Sequence, residues 1–78
     1  MQITARLYGT LRRLSQPDTP GLWQGVAPDG LTVAGLVSFL GTRIEEVAAA
    51  TRNGEPCPFD TILEDGDVVV LVTPFGGG

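Results

Sequence analysis

The chain has 78 residues, of which 42% are hydrophobic, with five arginines, no lysine and nine acids for a net charge of −4. That length makes one small domain near the limit at which a single core holds without staples, and the acidic balance disfavours nucleic acid while suiting a basic protein partner. There is no histidine and only one cysteine, Cys57. The commonest general base and metal ligand are therefore missing, and no internal disulfide, CxxC pair or cysteine metal cluster can form.

The elements follow in chain order. Residues 2–8 alternate, with Ile3, Ala5 and Leu7 on one face and Thr4, Arg6 and Tyr8 on the other, as in a strand half covered by a core. Leu11 and Leu14 then sit three apart around two arginines, which predicts a helical turn against the body. Residues 15–21 form a loop, and a second strand is expected over residues 22–27, ended by Pro28-Asp29-Gly30. The clearest helix starts at Thr32 as N-cap, with Leu31 placed to staple against Leu36. Its apolar stripe is Val33, Leu36, Val37 and Leu40, and Gly41 stops it. Residues 44–51 carry both helical and alternating signals. A strand is assigned to residues 47–52, running into the Asn53-Gly54 hairpin turn. Cys57, flanked by Pro56 and Pro58, is expected in a turn as a structural residue, since no histidine can activate it. Two further turns, from Asp60 through Leu63 and at Asp65-Gly66, lead to a last strand over residues 67–73.

That last strand is apolar on both faces, the mark of a central strand. A single good helix can cover one face of a four- or five-stranded sheet, so Val68, Val70 and Val72, joined by Tyr8, are expected to form an exposed apolar surface that binds a protein. The alternative is that the loop of residues 15–21, or Trp23, folds over it. The run from Val68 continues through Phe75 into Gly76, Gly77 and Gly78. Three glycines build no core, but a tail without side chains can enter a narrow channel extended and carry its carboxylate into another protein's active site. The alternative is a frayed end or an expression scar. With no lysine, isopeptide chemistry could use this chain as donor but not as side-chain acceptor. No apolar run reaches membrane-spanning length and the first residues alternate where a signal peptide would be continuously apolar, so a soluble cytoplasmic protein is expected.

An order of strand, strand, helix, strand, short strand, strand, with the first and last strands central, predicts an α+β fold of β-grasp (ubiquitin-like) type: a single domain over residues 1–75 with a flexible tail over 76–78. The opening segment from Ile3 to Leu14, the Leu31-Thr32-Val33 helix entry, Asn53-Gly54-Glu55, the segment from Leu63 to Asp67 and the terminal glycines together resemble the ubiquitin-like sulfur carriers MoaD and ThiS. The resemblance implies a carrier, not an enzyme. Its C-terminal glycine, here Gly78, is adenylated with Mg-ATP by a ubiquitin-activating-type adenylating enzyme and converted to a thiocarboxylate that donates sulfur to a synthase subunit. It also implies a partner surface at Tyr8, Val72 and Phe75, to which periodicity adds Val70, and tail recognition through Phe75, Gly76 and Gly77. Such a carrier needs no base, metal, nucleophile or bound cofactor of its own, because the chemistry occurs on partners.

Within the family, the segment from Leu11 to Leu14 and the long first connection look like MoaD, the small subunit of molybdopterin synthase. The helix and the triple glycine look more like ThiS, the donor for thiamin thiazole. Pro74-Phe75 departs from the usual MoaD ending. The molybdopterin route is favoured, with thiamin and tRNA thiolation as alternatives. Outside sulfur transfer stand a ubiquitin-like protein modifier and a plain β-grasp interaction module.

Overall fold

The computed structural model describes residues 1–74; Phe75, Gly76, Gly77 and Gly78 lie outside it. Five strands, β1 (Gln2–Leu7), β2 (Leu22–Val26), β3 (Ala49–Arg52), β4 (Glu55–Cys57) and β5 (Val68–Val72), form one sheet in the order β2-β1-β5-β3-β4. The pairing of β1 with β5 is parallel and the other three are antiparallel. One helix, α1 (Val33–Phe39), and two 3-10 helices, Gly9–Leu14 and Ile44–Glu46, complete the structure. A mixed sheet with its first and last strands parallel at the centre and a helix on one face is the β-grasp arrangement expected from the sequence.

The alternation of β1 is the basis of the core. Ile3, Ala5 and Leu7 join Val69 and Leu71 of β5 and Ala50 of β3 in a cluster with Val33, Leu36 and Val37 of α1, and Leu11 and Leu63 close its ends. Most of these are essentially inaccessible to solvent. Helix α1 has only seven residues, too few to be stable alone. Its start is fixed by Thr32, whose Oγ1 accepts from the Gly35 N–H at 3.0 Å, and Leu31 folds back over Gly35.

The Asn53-Gly54 signal is a true hairpin turn: both residues have positive φ, 52° and 87°, the primed geometry that matches strand twist. The side chain of Asn53 also accepts from the Val68 N–H at 2.8 Å, tying the β3–β4 turn to the start of β5.

Three expectations are corrected. The third strand starts at Ala49 and not at Val47, and the helical signal of the preceding segment is realised as a 3-10 helix over Ile44–Glu46. Cys57 is not in a turn. It pairs with Ala50 as the last residue of β4, and Pro56 is tolerated there because β4 is an edge strand that pairs on one side only. The alternative cover for the open face also fails at Trp23, which lies opposite Ala5 on the core face and meets Phe39 of α1 edge to face at 5.9 Å.

The free edge of β2 is capped by a side chain. Gln16 donates through Nε2 to the Gln24 carbonyl at 2.7 Å and accepts at Oε1 from the Gln24 N–H at 3.1 Å, imitating the pair of bonds that another strand would make. The Gln16 N–H also donates to the Leu22 carbonyl. The loop expected over residues 15–21 thus runs along the edge of the sheet.

Candidate functional site

Because α1 takes one face of the sheet, the register puts a defined set of side chains on the other. Arg6 lies between Leu22 of β2 and Val70 of β5, and Thr51 of β3 lies beyond Val70. One step along, Val72 pairs with Ala49, and Tyr8 continues the alternation of β1, with its N–H donating to the Leu71 carbonyl at 3.2 Å. The three valines of β5 on this side are half-buried, and the ring of Tyr8 is 48% exposed. Tyr8, Val70 and Val72 are thus brought together as expected, on a mostly apolar surface that no element among the described residues covers. The hydroxyl of Thr51 on this face is buried and has no hydrogen-bond partner among the described residues.

The point at which the chain leaves the sheet is set by a close approach. Gly9 follows Tyr8 with φ +60°, and a Cβ there would collide with the side chain of Thr73. Only glycine satisfies both the left-handed backbone and the contact. The last described residues therefore lie against the Tyr8–Gly9 turn, on the edge of the open face. The tail positions Gly76, Gly77 and Gly78, with Phe75, fall outside the described residues.

Two arginines that sequence reasoning did not place in a site flank this exit. Arg6, Tyr8, Arg12, Pro20 and Leu22 line a shallow hollow of about 380 Å³, floored by Leu7 and Gly21. The guanidinium of Arg12 stands over Gly21, within 4 Å of where a Cβ would be. The alternation of β1 placed Arg6 on the face opposite the core, but nothing in the linear sequence brings Arg12 and Pro20 beside it. A smaller hollow of about 220 Å³ lies between β3 and β4, lined by Ala48, Ala49, Ala50, Pro56, Cys57, Pro58 and Phe59.

Two other arginines, Arg13 and Arg52, are held in ion pairs. Arg52 donates to Asp67 at 2.7 Å and to Glu64 at 2.6 Å. Asp67 is 4% exposed and also accepts from Asn53 and from the Glu64 N–H. Burial pushes the Asp67 carboxyl up, but these hydrogen bonds and the adjacent guanidinium outweigh it and hold it below the ordinary carboxylate value. Arg13 pairs with Glu46 at 2.8 Å and lowers its pKa. These contacts join turns and short helices and lie off the open face. Among the described residues, no group of three or more His, Cys, Asp or Glu is placed to hold a metal ion, and no helix is long and apolar enough to cross a membrane.

Comparison with known proteins gives one decisive match, to the ThiS family over residues 6–78. The chain belongs to the ThiS family. The match includes the segment of Arg6, Tyr8 and Arg12, all of β5 and the terminal glycines. No curated protein matches the chain. Among solved structures, SAMP1 from Haloferax volcanii is similar with a TM-score of 0.70 and 17% identity, covering 100% of both chains. A protein assigned as molybdopterin converting factor subunit 1 of Pyrococcus furiosus is similar with a TM-score of 0.70 and 20% identity, covering 95% of this chain and 98% of its own. Identities this low speak to the fold, and both agree on a ubiquitin-like β-grasp. The family assignment makes this a small carrier-type chain of the ThiS and MoaD kind.

Proposed function

We propose that this protein is a sulfur carrier whose Gly78 carboxyl, as the end of the chain or after processing exposes it, is adenylated by a partner enzyme using Mg-ATP and converted to a thiocarboxylate. The observation that carries this reading is the family match reaching residue 78, in a chain whose central strand leads straight to three glycines. A carboxylate is a poor electrophile until its oxygen becomes a good leaving group, and an acyl-AMP provides one. Attack by sulfide at the Gly78 carbonyl then forms the C–S bond, expels AMP and leaves the thioacid; where a persulfide attacks, a thiol cleaves the resulting acyl disulfide and is itself oxidised to a disulfide. The carrier's own residues present the tail and dock the partner: Tyr8, Val70 and Val72 with the open face, Phe75, Gly76 and Gly77 in the partner's channel.

The favoured destination is molybdopterin, with a synthase large subunit as sulfur acceptor. The fold similarity to the Pyrococcus furiosus converting-factor subunit supports this route. A second reading is a ubiquitin-like modifier that forms an isopeptide through the same activated Gly78, since acyl activation is common to both and the fold is ubiquitin-like. Intact-mass measurement after incubation of the Cys57→Ser chain with Mg-ATP, a sulfur source and an adenylating enzyme tests the proposal. An oxygen-to-sulfur replacement confined to Gly78, and lost when Gly77 and Gly78 are deleted, is expected. An unmodified Gly78, with an enzyme active on its own carrier, overturns it for that pathway. Adducts on target lysines without any thiocarboxylate support the modifier reading.

A further inference from the structure

The side chains of Arg6 and Arg12 form a corner in which neither is held by an acid among the described residues. Of the five arginines, Arg13 and Arg52 are held by acids, whereas Arg6, Arg12 and Arg43 form no ion pair among the described residues. Two of these three line the same hollow. In a chain of net charge −4, this gathers two arginines without ion pairs around one hollow that no acidic residue lines. The hollow is also continuous with the open face, since Arg6 stands directly between Leu22 and Val70 and Tyr8 belongs to both. Finally, it adjoins the exit of the chain, where Gly9 packs on Thr73.

We infer that the Arg6–Arg12 corner receives a carboxylate side chain of the protein that covers the open face, an Asp or Glu set beside the mouth of the channel that takes the tail. The inference rests on the carrier reading above and adds the chemistry of the contact. Net charge alone favours a basic partner, but local charge decides a local contact. A guanidinium offers a planar fork of donors that matches a carboxylate, and the hollow is bounded by apolar atoms of Leu22, Pro20 and Tyr8, so docking on the face removes water from the pair and strengthens it. A protein that holds the tail while resting on Tyr8 and Val72 must cover this corner. Leaving two guanidiniums desolvated there without an acid would oppose binding.

The test uses an adenylating enzyme that modifies the wild-type chain, with its dissociation constant measured over about 50–400 mM salt. The Arg6→Gln/Arg12→Gln double variant is expected to bind roughly 10- to 100-fold more weakly at low salt and to lose most of the salt dependence. Arg43→Gln, in the connection after α1, is expected to change affinity less than about twofold. The loss should be the same without nucleotide, because the ligand is a side chain of the enzyme. Wild-type affinity and salt dependence in the double variant, an equal loss in Arg43→Gln, or a loss seen only with ATP bound would each overturn the inference while leaving the carrier reading intact. A wild-type chain that is neither bound nor adenylated removes both.

Discussion

Arg52 and Asp67, fifteen residues apart on neighbouring strand ends, meet in a 2.7 Å charge-assisted hydrogen bond that fastens the β3–β4 turn to the turn preceding the central strand. The carboxylate is the hub, with Asn53 and the Glu64 N–H as further donors. Replacing Asp67 with Asn leaves the guanidinium with Glu64 as its one remaining charge partner among the described residues and is expected to cost roughly 1.5–3 kcal/mol, measured by denaturant unfolding at neutral pH. Because the folded carboxyl titrates below its unfolded value, its contribution is fully present above about pH 4 and is lost as pH falls through the lower folded pKa. Acid unfolding of Asp67→Asn should therefore be shallower than that of wild type below about pH 4. Parallel acid curves for the two proteins would deny this pair its role.

A methyl group at residue 9 should act on stability and tail presentation together. Gly9→Ala places a side chain at φ +60° against Thr73, at a cost of roughly 1–3 kcal/mol from the backbone alone. Since Thr73 must move to admit it, the rate of Gly78 adenylation should fall even at temperatures where the variant is fully folded. A rate equal to wild type would mean that the exit can shift without consequence.

The solitary hydroxyl of Thr51 gives a prediction of opposite sign. Thr51→Val keeps the shape and removes a buried oxygen that has no partner among the described residues, so stability should rise by about 1 kcal/mol, read from thermal unfolding. Affinity for the adenylating enzyme should stay the same or increase. A more stable variant that binds more weakly would show that the partner uses the hydroxyl.

Cys57 closes β4 opposite Ala50, beside the hollow between β3 and β4 and two strands away from the strand that leads to the tail. Cys57→Ser is expected to form the thiocarboxylate at the wild-type rate. A loss of more than about tenfold, in protein shown to be folded, would give the thiol a part in sulfur transfer.

Removal of the Gln16 side chain tests the edge cap. Gln16→Ala should expose the Gln24 N–H to hydrogen exchange while lowering global stability by less than about 1 kcal/mol, because water replaces both bonds. Self-association at high concentration is the expected accompaniment, since an open strand edge is a template for pairing. Unchanged exchange at Gln24 would show that the cap is not maintained in solution.

The fold was most legible where period and burial agree. The alternation of Ile3, Ala5 and Leu7, the two-sided apolar run of β5, the Thr32 cap and the Asn53-Gly54 turn each have a local physical cause, and each lies where the sequence placed it. Pro56 misled because proline near a cysteine reads as a turn, while an edge strand has a free side on which a missing N–H costs nothing. Residues 44–47 misled because alternation and helical spacing overlap over so short a stretch. At the site, Tyr8, Val70 and Val72 followed from periodicity on a sheet with one covered face. The Arg6–Arg12 corner did not, because it is assembled from a strand, a 3-10 helix and a loop whose meeting is tertiary.

Among the described residues, β2 is closed by Gln16 and β4 is short and proline-bearing, so the sheet offers a visitor its uncovered face in place of a strand edge. Any two proteins that bind there exclude each other. On the proposed carrier reading, such a chain meets its partners one at a time, and the order of events at Gly78 becomes a matter of which partner lets go first.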